Sequence, residues 1–327
     1  MGGNLFKLGR LPRQEYLALE AQMRVYFEQK FGDLYRIPRY YGDKADFGDM
    51  DVILSDQLLA EETSWEALRE SIVADLGLER TRAQGGVFST VYQDFQVDYF
   101  IKSHDEFLTT HNFMSFNDLG NIVGKIYRRF NLKYGEKGLM YVFRRDDNHY
   151  KKDLIVSRDP AQIFGFLGLE IAPWEAGFDN LEAIFSWVTR SPFFSVAPYR
   201  DQSATTRRRK RRRQTMERFV AWLDEHGVAQ NYEPEGDAEA LLAQVHEAFP
   251  QADLLGQIAH ERRLEEVARQ VQERFNGRLV MSLRPELQGA ALGDFIKAFK
   301  AQYDDFDAAV LAMTPQQVIE TIKDFKV

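Results

Sequence analysis

The sequence predicts an α+β fold, in which a small mixed β-sheet with helices on one side precedes a mainly helical C-terminal region. Before residue 102, short apolar segments with strand-like alternation lie between stretches of helical spacing, and beyond it the spacing becomes mainly helical. The chain has 327 residues, of which 44% are hydrophobic, which is enough to bury two or three cores. We place the domains at residues 1–104, 105–200 and 201–327.

The N-terminal region is predicted to begin with a helix over residues 12–31, followed by strands over 34–41 and through Leu54. Thr63, with Glu66 three residues later, predicts a capping box that opens a helix ending near Gly77.

Two further strands are predicted over residues 88–91 and 95–101, joined by a tight turn at Gln93 and Asp94. Farther along the chain, 139–143 has the pattern of a strand. Asp159 and Thr314, each followed by proline, are typical N-caps of helices. The remaining helices are predicted over residues 217–226, 238–248 and 258–275, with a close-packed turn into another helix within 287–296.

Asp49 and Asp51 lie one residue apart where a loop enters an apolar strand. Side chains two apart on a strand share a face, so both carboxylates point the same way. Asp98 lies within the strand predicted over 95–101, among apolar neighbours. Carboxylate oxygens suit Mg²⁺, and three converging acids are typical of a two-metal phosphoryl-transfer site.

A solvated turn is the alternative interpretation of an Asp-x-Asp pair, because Asp and Glu supply 50 of the 327 residues. The context favours a site, since Gly48 precedes the pair and Val52 continues an apolar strand. Gly42 lies seven residues before Asp49, where a turn without a side chain could approach a phosphate closely.

The segment Gly48-Asp49-Met50-Asp51-Val52, together with Gln96-Val97-Asp98-Tyr99, resembles the metal-binding strands of the DNA polymerase beta-like nucleotidyltransferase superfamily. This superfamily includes polymerase beta, tRNA nucleotidyltransferases and poly(A) polymerases. The resemblance implies a catalytic palm domain over residues 1–104. It also implies that Asp49, Asp51 and Asp98 bind two Mg²⁺ ions, with Mn²⁺ as an alternative, and that Asp98 helps to activate the attacking hydroxyl.

The chain departs from the superfamily pattern at the turn that would hold the triphosphate. Asp43 follows Gly42 where a serine is expected, and the gap to Asp49 is shorter than usual. Gly42, Asp43 and Lys44 are nevertheless the predicted nucleotide-binding turn, with Lys44 supplying positive charge.

A second segment extends the resemblance. Phe113, Asp118, Asn121 and Lys125 have the spacing of the nucleotide-contacting thumb helix of polymerase beta, which implies that they bind nucleotide. Positions three and four apart on a helix share a face, so the last three would line one side. The alternative interpretation is the start of an ordinary amphipathic helix, with Asn117 as its N-cap.

The net charge of −8 conceals a basic tract in which all seven residues are positive: Arg207, Arg208, Arg209, Lys210, Arg211, Arg212 and Arg213. We expect this tract to contact the phosphate backbone of a nucleic acid, which makes residues 201–327 a nucleic-acid-binding module. A nuclear localisation tract and a solvated linker are the alternatives.

Composition excludes several classes of protein. The absence of cysteine rules out disulfides, thiol nucleophiles and cysteine-bound metals. The N-terminus has no long apolar stretch, so we expect no membrane partner and a cytoplasmic location, or a nuclear one in a eukaryote.

By resemblance, the substrates are ATP or another nucleoside triphosphate and a nucleic-acid 3' end. We favour RNA such as tRNA, as in tRNA processing. DNA, as for a small polymerase, is a close alternative. Transfer to a protein or small molecule, as by toxin-like or antibiotic-modifying enzymes, is a third hypothesis, and a catalytically silent binding module is the fourth.

Overall fold

The chain forms two compact units, Met1–Ala252 and Asp253–Val327, each described here by itself. The predicted boundaries after residues 104 and 200 stay predictions. A computed structural model describes the following residues: 5–59, 64–200, 214–233 and 235–326.

Among the residues that the structure describes, the strands all lie in the first unit. In chain order they are β1 Leu11–Pro12, β2 Tyr35–Arg36, β3 Asp46–Phe47, β4 Met50–Ser55, β5 Thr81–Gln84, β6 Val87–Tyr92, β7 Phe95–Lys102, β8 Leu132–Gly135, β9 Gly138–Arg144 and β10 Tyr150–Ser157.

The helices are found in both units. Those of the first unit are α1 Arg13–Phe31, α2 Trp65–Leu76, α3 His104–Met114, α4 Leu119–Tyr127, α5 Pro160–Phe166, α6 Ile171–Ala176, α7 Leu181–Thr189, α8 Ala197–Arg200, α9 Gln214–Glu225 and α10 Ala238–Ala248. Those of the second unit are α11 Leu254–Arg274, α12 Gly277–Leu283, α13 Ala290–Lys300, α14 Phe306–Ala312 and α15 Pro315–Asp324.

The main sheet has five strands in the order β2-β4-β7-β6-β5. Strands β4 and β7 pair in parallel, whereas the other neighbours are antiparallel. The sheet is therefore mixed, and the predicted α+β class with a helical C-terminal region is confirmed.

Alternation along β4 and β7 divides their side chains between two faces. One face contributes Val52, Leu54, Val97 and Tyr99 to a core that includes buried residues of α1 and α2. These two helices therefore pack on that face. Asp51 and Asp98 are each one position away from these apolar residues along their strands, so their side chains point to the other face.

Local signals placed several elements correctly. The helix predicted over 12–31 and the hairpin at Gln93 and Asp94 are confirmed, and both turn residues have positive φ, 47° and 59°. The side chain of Ser64 caps α2 by accepting from the amide of Ala67, whereas the predicted cap, Thr63, lies outside the described residues. The predicted cap at Asp159 is confirmed.

The strand predicted over 34–41 is wrong in its extent, because β2 ends at Arg36. Pro38 has no amide hydrogen and cannot continue the ladder. The backbone of Arg39 bonds instead to the segment after α3: its amide donates to the Ser115 hydroxyl, and its carbonyl accepts from the amide of Phe116.

A second sheet, in the order β10-β9-β8, is antiparallel throughout. It confirms the strand predicted over 139–143. Strand β8 lies against α4, whose Tyr127 is fully buried and donates to the carbonyl of Ile163 at 2.5 Å.

The second unit is helical in all its described elements. Its core is formed by Val271, Phe275, Val280, Phe295, Phe299, Val310, Val318 and Ile322. The predicted cap at Thr314 is confirmed, and Gln317 completes a capping box there. Gly289, with φ of 55°, precedes α13, in agreement with the predicted turn.

None of the helices among the described residues is both long and apolar enough to cross a membrane.

Candidate metal centre

Three carboxylates meet at one edge of the β4–β7 pair. Asp49 directly precedes β4, Asp51 is the second residue of that strand, and Asp98 lies opposite Asp51 in the parallel register. One carboxylate oxygen from each residue lies within 4.8 Å of the others. The structure thus brings together the three acids that the sequence singled out.

The cluster is electrostatically unfavourable on its own. Burial raises the pKa of Asp51 well above its usual range, and the neighbouring charges of Asp49 and Asp98 raise it further. Burial also raises the pKa of Asp98, although hydrogen bonds from Ser89 and Gln96 oppose this effect. A divalent cation between the three carboxylates would offset their repulsion. The all-oxygen donor set fits Mg²⁺ or Mn²⁺.

Lys44 is placed beside this cluster. Its pKa is lowered by burial, while the charges of Asp49 and Asp51 favour its protonated form. The ammonium lies 4.2 Å from the centroid of the Phe47 ring and donates to Asn117 Oδ1 at 3.3 Å. Lys44 therefore lies between the acids and the segment before α4, while its predicted role in binding a triphosphate stays a prediction.

Gly42 and Asp43 form a turn whose amides are already engaged. The Gly42 amide donates to the carbonyl of Phe178 at 2.8 Å, and that of Asp43 donates to the carbonyl of Asp179 at 2.7 Å. A Cβ at Gly42 would lie 2.9 Å from the Asp179 carbonyl oxygen, so close backbone packing explains this glycine. Phosphate binding by the turn stays a prediction, and it would need groups other than these two amides.

The thumb-like segment is divided between two helices. Phe113 lies in α3, Asp118 is at the N-cap position of α4, and Asn121 and Lys125 lie within α4. Asn121 donates to Asp118 Oδ1 at 3.3 Å, whereas Lys125 donates to the carbonyl of Pro198 at 2.6 Å. Their contact with nucleotide stays a prediction.

The alternative of an ordinary amphipathic helix stays open, but its predicted N-cap, Asn117, is wrong by one residue. Asp118 takes the cap position, although its side chain makes no capping hydrogen bond. Phe116 and Asn117 have consecutive positive φ values, 58° and 60°, which turn the chain toward Lys44.

Arg207–Arg213, the predicted nucleic-acid-binding tract, lies outside the described residues, so its role stays a prediction.

No protein family matches the chain, and no curated protein matches it. Among solved structures, it is similar to the Leishmania infantum polymerase beta ternary P/T complex, with 21% identity and a TM-score of 0.34. That match covers 42% of this chain and 60% of the other. The ternary gap complex of the same polymerase matches with 20% identity and a TM-score of 0.33, covering 42% of this chain and 53% of the other. With TM-scores this low, the likenesses carry no weight for function.

Gln96 and Ser89 lie beside Asp98, and the sequence did not single them out as site residues. Gln96 is two positions before Asp98 and shares its face of β7, which was a usable signal. Ser89 is paired with Asp98 across β6 and β7, a contact that only the sheet register reveals.

Proposed function

We propose that this protein is a metal-dependent nucleotidyltransferase, which adds a nucleoside monophosphate from a nucleoside triphosphate to the 3' end of a nucleic acid. The observation that supports this most strongly is the convergence of Asp49, Asp51 and Asp98 within 4.8 Å on one face of the sheet. Lys44, which interacts electrostatically with the first two acids, adds the positive charge that a phosphate-binding site needs.

In the proposed reaction, the 3' hydroxyl oxygen forms a bond to the α-phosphorus. The bond between the α-phosphorus and the oxygen that bridges it to the β-phosphorus breaks, and pyrophosphate leaves. Asp98 would accept the hydroxyl proton as the general base of the reaction. The three aspartates would hold Mg²⁺, which would lower the pKa of the hydroxyl and offset the developing negative charge. Lys44 would balance part of the charge of the triphosphate.

Two acceptors are proposed, each for its own reason. RNA such as tRNA is supported by the large helical region and by the basic tract 207–213. Primed or gapped DNA is supported by the Gly48-Asp49-Met50-Asp51 pattern, which is similar to that of polymerase beta.

Incorporation assays test the function and distinguish the acceptors. The full chain is incubated with Mg²⁺ or Mn²⁺ and each labelled nucleotide, together with tRNA, gapped DNA or no nucleic acid. We expect the enzyme to extend one of the acceptors. Asp49→Asn or Asp51→Asn should reduce the rate of extension more than about 100-fold, because losing even a residue that orients a metal ligand lowers activity by about 10–100-fold.

Asp94→Asn is the matched control, since Asp94 is exposed in the β6–β7 turn and asparagine also accepts its positive φ. Unchanged turnover in Asp51→Asn would refute the assigned site. Labelling of a protein or small molecule without nucleic acid would refute the proposed acceptor class.

A further inference from the structure

Gln96 makes an unusual contact with the third carboxylate of the cluster. It is 4% exposed, and its Nε2 donates to both oxygens of Asp98, at 3.0 and 2.9 Å. Because an ionised carboxylate only accepts hydrogen bonds, the amide must present its nitrogen to Asp98. One buried side chain therefore restrains both carboxylate oxygens at once.

The other end of the same amide is unsatisfied. Gln96 Oε1 is buried without a hydrogen-bond partner among the residues that the structure describes. Buried polar atoms are normally paired, and an apolar side chain of similar size would fill this space without an orphan oxygen. Packing alone thus gives no reason for glutamine at position 96, whereas its contact with Asp98 does.

The chemistry of the donor is also informative. An amide fixes a carboxylate without neutralising it, so the charge of Asp98 stays available to a cation. A lysine or arginine in this position would form an ion pair and compete with a metal. Ser89, which is paired with Asp98 on the neighbouring strand β6, is also neutral and favours the ionised form of the carboxylate.

We propose that Gln96 is a positioning residue, which fixes the plane of the Asp98 carboxylate so that it faces Asp49 and Asp51 and binds a divalent cation with them. The inference rests on the metal centre of the proposed function. Gln96 acts through Asp98 and does not itself bind the metal or the substrates.

The experiment measures Mn²⁺ affinity of the full chain, without nucleotide or nucleic acid, from the electron paramagnetic resonance signal of free Mn²⁺. Gln96→Leu removes the donor at similar volume, and Gln96→Met does so with a more adaptable side chain in case the first variant folds poorly. We expect either to weaken Mn²⁺ binding by about 10–100-fold, the usual effect of losing a partner that orients a metal ligand.

Thr90→Val is the control for a merely structural effect. Thr90 is fully buried in β6 and donates to the carbonyl of Val97 at 3.2 Å, so its loss also removes a buried hydrogen bond from this sheet. We expect this variant to lower the unfolding temperature while leaving Mn²⁺ affinity unchanged.

A double-mutant cycle shows whether Gln96 acts through Asp98. With Asp98→Asn already present, Gln96→Leu should weaken Mn²⁺ binding by less than about 2-fold, because residues that act through one contact are not additive. If Gln96→Leu and Gln96→Met bind Mn²⁺ like the wild type while Asp98→Asn does not, the positioning role is refuted and the metal centre stands. The positioning role is also refuted if Gln96→Leu weakens Mn²⁺ binding as strongly in the Asp98→Asn background as it does in the wild type. If the wild type itself does not bind Mn²⁺, the metal centre and this inference both fail.

Discussion

Asp51→Asn should stabilise the metal-free protein. The substitution keeps the shape of the side chain and removes one charge from a cluster whose oxygens lie within 4.8 Å. Two unit charges at this separation repel by about 3.5 kcal/mol at an effective dielectric constant of about 20. Because Asp51 is partly exposed, solvent screens part of this repulsion, and we expect a net gain of about 1–2 kcal/mol.

The gain should depend on pH in a defined direction. The pKa of Asp51 is raised in the folded protein, so the folded state retains its proton to a higher pH than the unfolded chain does. The contribution of Asp51 to stability is therefore most favourable below the ordinary pKa range of an aspartate and declines as the pH rises through the raised value. Asparagine does not titrate, so the stability of the Asp51→Asn variant relative to the wild type should increase from acid to neutral pH.

Thermal unfolding in EDTA and in excess Mn²⁺ measures both effects. At about 2–4 °C per kcal/mol for a unit of this size, Asp51→Asn should raise the unfolding temperature in EDTA by about 2–8 °C. Wild type should gain about 2.7 kcal/mol at a Mn²⁺ concentration 100-fold above its dissociation constant, and the variant much less. The order of stability should therefore reverse between the two conditions. A variant that is less stable than wild type in EDTA, or equally stabilised by Mn²⁺, would show that Asp51 is not a strained metal ligand.

Two further predictions concern the surroundings of the site. Gly42→Ala places a Cβ 2.9 Å from the carbonyl oxygen of Asp179. We expect the free energy of unfolding, measured with urea, to fall by about 1–3 kcal/mol. An unchanged urea midpoint would mean that the turn adapts freely. Burial lowers the pKa of His111, so the unfolded chain binds its proton first and stability should fall as the pH drops below about 6.5. His111→Gln should flatten this dependence of the urea midpoint between about pH 5 and 7, and identical slopes in the two proteins would assign the effect to another group.

The sequence was most informative where local rules decide the structure. Two-residue alternation put Asp49 and Asp51 on one face, and the apolar run around Asp98 indicated a strand. Capping signals such as those at Asp159 and Thr314 also depend on only a few neighbouring residues, and both were confirmed.

Contacts between distant parts of the chain could not be predicted in the same way. The amides of Gly42 and Asp43 bind the carbonyls of Phe178 and Asp179, more than a hundred positions later, and nothing in the local sequence shows this. Strand β2 ends early for a local reason, since Pro38 cannot continue the ladder. The segment that the backbone then bonds to, at Ser115 and Phe116, is again remote in sequence. The backbone contacts that hold the predicted phosphate turn could therefore not be predicted from the sequence.

The register between β4 and β7 joins the stability of the fold to the geometry of the site. Met50 is paired with Val97 and Val52 with Tyr99, and all four side chains are fully buried in the core against α1 and α2. A slip of one residue would turn these side chains outward and bury carboxylates in their place, which the core would not tolerate. The same pairing sets Asp51 beside Asp98. The apolar face therefore holds the three acids together despite their mutual repulsion, so the arrangement should be present before any cation binds.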